Sequence, residues 1–227
     1  MLLLLENLNV NKLFSIVFSL VLLLAAFYVV LFGILAGQSS LTLMFGSPVW
    51  LTVLLLSFTL LLLASLEGSQ IAIVSLSDRS VEQLSEVKGK YPSAFSTLQL
   101  LGSKMRSQQY LAGRQFFVIV TVFVIAQITS FPQLSYLPFS NVPVSDLPDW
   151  INLICFKLGF LGALIVLWTA QLIPQYFANR YPDLFLSFPG NSQIVRLCLL
   201  IESIGPTKPA NWMSFVILNA VKKHQQG

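Results

Sequence analysis

The stretch from Pro48 to Ser77 constrains this chain more than any other. Val49 through Ala64 is unbroken hydrocarbon-compatible sequence, Glu67-Gly68-Ser69-Gln70 follows, and the apolar character resumes at Ile71-Ala72-Ile73-Val74 before Asp78. A span needs about 20 apolar residues to cross the hydrocarbon, so such a run reads as a membrane helix. At ~1.5 Å per residue it is about 45 Å long, against roughly 30 Å of hydrocarbon. The helix must therefore tilt, protrude or break. Gly68, between Glu67 and Ser69, reads as the break, because irregular backbone at membrane depth is tolerated where it lines a cavity. A carboxylate placed there costs several kcal/mol unless a partner, a cavity or a proton compensates, which makes Glu67 a functional candidate.

Further apolar runs cover Leu13 to Ala36, Gln115 to Phe131 and Trp150 to Phe177. Only 10% of the residues are charged, and the mean hydropathy is +0.78. Soluble domains carry about 25% charge. The expectation is an all-α, polytopic membrane protein: one membrane domain over residues 1–227, with spans at about 13–36, 48–77, 115–131 and 150–177. Residues 194–221 are apolar but carry Arg196 and Glu202 and are interrupted by Gly205-Pro206. A broken fifth span and a re-entrant or amphipathic pair both remain open there. Within the polar loop Asp78–Arg106, Tyr91 to Leu101 is apolar enough to pack on the membrane surface or against the spans. That loop holds Arg79, Lys88, Lys90, Lys104 and Arg106, while the connections between spans one and two and between three and four hold no Lys or Arg. The positive-inside rule makes the loop, and with it the N-terminus, cytoplasmic. Topology also accounts for the net charge of +4, and nothing points to nucleic acid.

Cys155 and Cys198 lie in apolar runs without metal-ligand or dithiol spacing, and His224 is the sole histidine. With so few soft ligands and no nucleophile beside a histidine, enzymatic chemistry and a bound cofactor are not expected.

The remaining polar residues in the spans carry the argument. Glu67 and Gln70, three apart, share a helical face. Arg114 sits with Gly113 and Gln115 at the mouth of the third span and is the candidate partner for Glu67; its plainer reading is a positive-inside anchor, as Glu67's is an interfacial charge. In the fourth span Lys157, Trp168, Gln171 and Gln175 are separated by near multiples of 3.6 and would form one stripe. A polar stripe on a membrane helix faces protein or water. Lys157 alone would simply snorkel outward.

Glu67-Gly68-x-Gln70 on the second span, followed by Gly113-Arg114-Gln115 on the third, resembles the paired signature of the silicic acid (silicon) transporters of diatoms and other silicifying eukaryotes, and of their half-length relatives. Ala170-Gln171-Leu172-Ile173-Pro174-Gln175 is similar to the glutamine-rich span of that family. The resemblance implies a plasma-membrane transporter of silicic acid. Full-length members resemble two fused five-span halves with each motif twice, whereas this chain holds each once, so it implies a homodimer. Silicic acid is a small neutral tetrahydroxy solute at pH 7, and a glutamine amide both donates and accepts. On this basis Gln70, Gln115, Gln171, Gln175 and Ser69 are candidate solute ligands. Glu67 is the candidate site for a coupling Na⁺ or proton, with Arg114 and Lys157 as neutralising or gating charges and Gly68, Gly113 and Pro174 as hinges. Marine relatives imply Na⁺ as the coupling ion. Two alternatives stay open: a passive channel or carrier for another small hydroxylated solute such as boric acid, and a non-transporting membrane assembly subunit.

Overall fold

The computed structural model describes residues 10–77, 87–102, 104–134, 136, 143–144 and 147–205. They are helical, with an isolated antiparallel bridge between Tyr136 and Pro143. In chain order the helices are α1 (Val10–Leu35), α2 (Ser40–Phe45), α3 (Val49–Ser77), α4 (Pro92–Leu100), α5 (Lys104–Thr129), α6 (Asp149–Ile151), α7 (Phe160–Ile165), α8 (Ile173–Arg180), α9 (Pro182–Ser187) and α10 (Asn191–Ile204). Wide π-helical turns extend α6 through Asn152–Lys157 and join α7 to α8 through Val166–Leu172. Four stretches are long and apolar enough to cross a membrane: Leu13–Phe45, Val49–Leu76, Met105–Thr129 and Phe160–Arg180. The all-α membrane architecture read from the sequence is therefore present.

The described residues form two compact units. One contains the chain up to Leu60 together with Val122–Ala170. Here α1 ends where Gly37 turns left-handed (φ 70°). Gly37 N–H donates to Ile34 and Gln38 N–H to Gly33, the paired bonds that satisfy a helix's last carbonyls. Small residues set the close approaches in this unit. Gly33 leaves room for the Phe131 ring and Gly162 for Thr129. Buried Ser39 donates to the Ile128 carbonyl at 2.8 Å, and Ser40 N–H to Ser130. Outward, α1 shows Phe14, Phe18, Leu24 and Leu35, side chains that suit hydrocarbon.

The second unit holds Leu61–Thr121 and the chain from Gln171 on. Its core joins Leu66 and Leu76 of α3, Tyr110 of α5, Phe185 and Leu186 of α9, and Val195 and Cys198 of α10. The short α4 packs on α9 and α10, with Ser93 Oγ donating to the Ser187 carbonyl; of the two placements read for Tyr91–Leu101, packing against the protein is the one present.

Three readings of local structure are corrected. First, α3 runs helical through Gly68 with no break. The glycine serves close packing instead, since a Cβ there would meet the Phe185 ring, with ring carbons at 2.6 and 2.7 Å. Second, α5 starts at Lys104 rather than Gln115, so Gly113-Arg114-Gln115 lies inside a helix and not at its mouth. Residues 104–112 contain no Gly or Pro to stop a helix. Third, the fourth span is not one regular helix from Trp150. Gly159 adopts a left-handed φ of 72°, and the crossing stretch begins at Phe160. The interruption, together with the wide turns on either side, destroys the 3.6-residue phase on which the stripe from Lys157 to Gln175 depended. Chain direction continues helically through Pro174, which follows the Val166–Leu172 wide turn, the local adjustment that accommodates a missing N–H. Of the 194–221 segment, the structure describes α10, closed by Gly205 with φ 108°; at about 21 Å it is too short to cross alone. Residues 206–221 lie outside the described residues, as do most of 1–11 and the charged stretch 78–86.

Candidate functional site

Glu67 is about ten residues, roughly 15 Å, above the end of α3, and only 7% of its surface is exposed. Arg114 of α5, 5% exposed, meets it: Nη2 lies 2.7 Å from Glu67 Oε2. The same guanidinium donates through Nε to the Leu66 main-chain oxygen at 3.0 Å. A helical carbonyl has a second lone pair beyond its i+4 bond, so Leu66 can accept this donor without breaking the helix. From α8, Gln175 Nε2 donates to the same Glu67 oxygen at 3.0 Å. Two sequence-distant residues, Arg114 and Gln175, thus converge on one oxygen of Glu67. Removing one partner of such a buried pair leaves an uncompensated charge and costs about 3–5 kcal/mol.

The glycines beside the charged residues bring the C-terminal helices against them. Gly68, next to Glu67, receives the Phe185 ring of α9. Gly113, next to Arg114, receives the α10 backbone itself: a Cβ there would collide with the Cys198 carbonyl oxygen and lie 2.7 Å from its carbonyl carbon. Small residues let helix backbones approach in this way. Phe185 is held in turn by Phe177 and Phe188 (ring centroids 6.2 and 5.9 Å) and by Asn191 Nδ2 on its carbonyl at 2.6 Å.

Beside the cluster is a cavity of about 360 Å³ lined by Ile71, Leu172, Gln175, Tyr176 and Asn179. Gln175 therefore reaches Glu67 with its amide nitrogen while bordering this space. The other candidate ligands stand apart. Gln70 and Gln171 are half-buried and Gln115 is exposed, and no side-chain hydrogen bond joins them to the cluster among the described residues. Ser69 is fully buried, with its hydroxyl unpartnered. Lys157 is exposed in the other unit, where it borders a polar hollow with Gln133, Tyr136 and Asn152. Among the described residues no three His, Cys, Asp or Glu side chains come together.

Sequence reasoning missed the Leu66 carbonyl, Tyr110, Phe185, Asn179 and the α10 backbone at Cys198. Tyr110 was open to discovery, being one helical turn before Arg114 on the same face. Nothing in the sequence pairs Cys198 with Gly113.

Apolar helices of membrane-crossing length that carry a buried carboxylate, a guanidinium and an amide beside a cavity make this an integral membrane protein with a polar intramembrane site. The chain belongs to the silicon transporter family, which matches it over residues 9–227. No curated protein and no solved structure matches it.

Proposed function

We propose that the protein carries silicic acid across the plasma membrane, coupled to a Na⁺ gradient, as a homodimer with cytoplasmic N-termini. The observation that carries this reading is Gln175, whose amide borders the cavity and at the same time bonds the Glu67 carboxylate. A solute hydroxyl that competes for that amide changes what Glu67 can hold, and a cation at Glu67 changes what the amide can offer the solute. That is thermodynamic linkage between two ligands, and it is reciprocal. Asn179 on the cavity wall supplies a second amide, and Gln171, Gln70, Ser69 and Gln115 are assigned to the solute path at other stages of the cycle.

In this arrangement Arg114 occupies the carboxylate, standing in for the cation. Binding Na⁺ at Glu67 requires the guanidinium to move off, so the ion pair acts as the latch of a carrier. A static pore has no use for such a latch, which favours coupled transport over a passive channel. Two copies per working unit, related by a twofold, are part of this proposal, since closed twofold dimers are the commonest arrangement of homo-oligomers. The positively charged loop between α3 and α5 supports the orientation. The deciding experiment is silicic acid uptake into proteoliposomes with and without an inward Na⁺ gradient. Gradient-stimulated uptake is expected; uptake that ignores the gradient overturns coupling, and no uptake overturns the transport reading.

A further inference from the structure

Tyr110 is 0% exposed, and its hydroxyl makes no hydrogen bond among the described residues. It sits in the core of the second unit with Leu66, Val195 and Cys198. Leu66 is the chain neighbour of Glu67, so the Tyr110 side chain packs in the cluster that carries the Arg114–Glu67 pair. A buried hydroxyl without a partner is a net loss, because it has given up water for nothing. Phenylalanine would fill the same volume without that loss. Tyr110 is also four residues before Arg114 on α5. Helical side chains lean toward the N-terminus, so the guanidinium is directed back over the turn that carries Tyr110.

We infer that the Tyr110 hydroxyl is the second partner of Glu67, donating to the carboxylate in the state where Arg114 has let go. This rests on the reading of the ion pair as a latch. Without Arg114, the Glu67 oxygen keeps only Gln175, and a buried carboxylate with one neutral donor is unstable. A phenol donating to a carboxylate makes one of the shorter, stronger protein hydrogen bonds. Tyr110 thereby lowers the free energy of the open-latch state without contributing to the closed one. It is a positioning residue, distinct from those lining the cavity.

The test is Tyr110→Phe, read in two ways. In transport, removing the hydroxyl slows the cycle: maximal uptake falls roughly tenfold, while the silicic acid concentration for half-maximal uptake and the melting temperature stay at or above wild type. A raised half-saturation concentration at unchanged maximal rate would assign the hydroxyl to the solute instead, and unchanged uptake would leave it no role; either result overturns the proposal. In stability, Tyr110→Phe is expected to be neutral in the wild-type background but to lower the melting temperature by roughly 5 °C in the Arg114→Gln background, where Glu67 has lost its ionic partner. Equal effects in both backgrounds overturn it. Should Arg114→Gln not fold, the uptake measurement decides alone. Should wild-type protein fail to take up silicic acid, the functional reading falls while the stability cycle still judges Tyr110.

Discussion

Replacing Gly113 with alanine tests whether the α10 backbone is what holds Arg114 in place. The new Cβ would meet the Cys198 carbonyl oxygen, with the carbonyl carbon at 2.7 Å and Cα at 3.2 Å. Carbon atoms rest at about 3.5–4.0 Å, so the two helices must separate by roughly 1 Å. Neither obstacle is a flexible side-chain tip; both belong to helical main chain. Overpacking of this kind costs about 1–3 kcal/mol, which for a chain of this size lowers the melting temperature by roughly 3–10 °C. Uptake should fall further than stability alone explains, because the displaced turn carries Arg114, and a shift of that size is large against hydrogen bonds of 2.7 and 3.0 Å. The assays are thermal unfolding in detergent and proteoliposome uptake, with Gly89→Ala as control, since a Cβ there meets nothing within 4 Å. Suppressors sharpen the reasoning. Cys198→Gly should fail to rescue Gly113→Ala, because the clash is with main chain, whereas Phe185→Leu should rescue Gly68→Ala, where it is with a ring. Wild-type stability and uptake in Gly113→Ala, or rescue by Cys198→Gly, would refute the backbone-contact argument.

Glu67→Gln keeps the size and hydrogen bonding of the side chain but removes the charge; dependence on the ion gradient should vanish while solute exchange persists, and unchanged gradient dependence would return Glu67 to a structural role. Gln175→Ala should raise the silicic acid concentration for half-maximal uptake about tenfold or more, because unpaired polar groups left in a site discriminate strongly, and it should exceed the effect of Gln115→Ala on the exposed side of α5; the reverse order would move the site away from the cavity. Native mass measurement of detergent-extracted protein should find dimers, and fully active monomer would refute the assembly proposal.

Membrane residence, helical class and the identity of Glu67 and Arg114 as the charged pair were all legible in the sequence. A bilayer leaves the backbone no partner but itself, so apolar run length translates directly into spanning helices, and a charge within such a run must find its complement. What periodicity could not supply was phase across irregularities. Lys157 and Gln175 share a face only if one 3.6-residue helix joins them, and Gly159 with the wide turn at Val166–Leu172 removes that premise. Nor could composition say whether Gly68 and Gly113 bend a helix or admit a neighbour, because the same missing Cβ allows both. Tertiary structure decided that question by bringing Phe185 and Cys198 from far along the chain to those two positions. It also decided that Gln175, among the glutamines, is the one bonded to Glu67. Such contacts are long-range: they depend on the joint packing of α3, α5, α8, α9 and α10, and no local pattern in the residues that make them encodes who the partner will be.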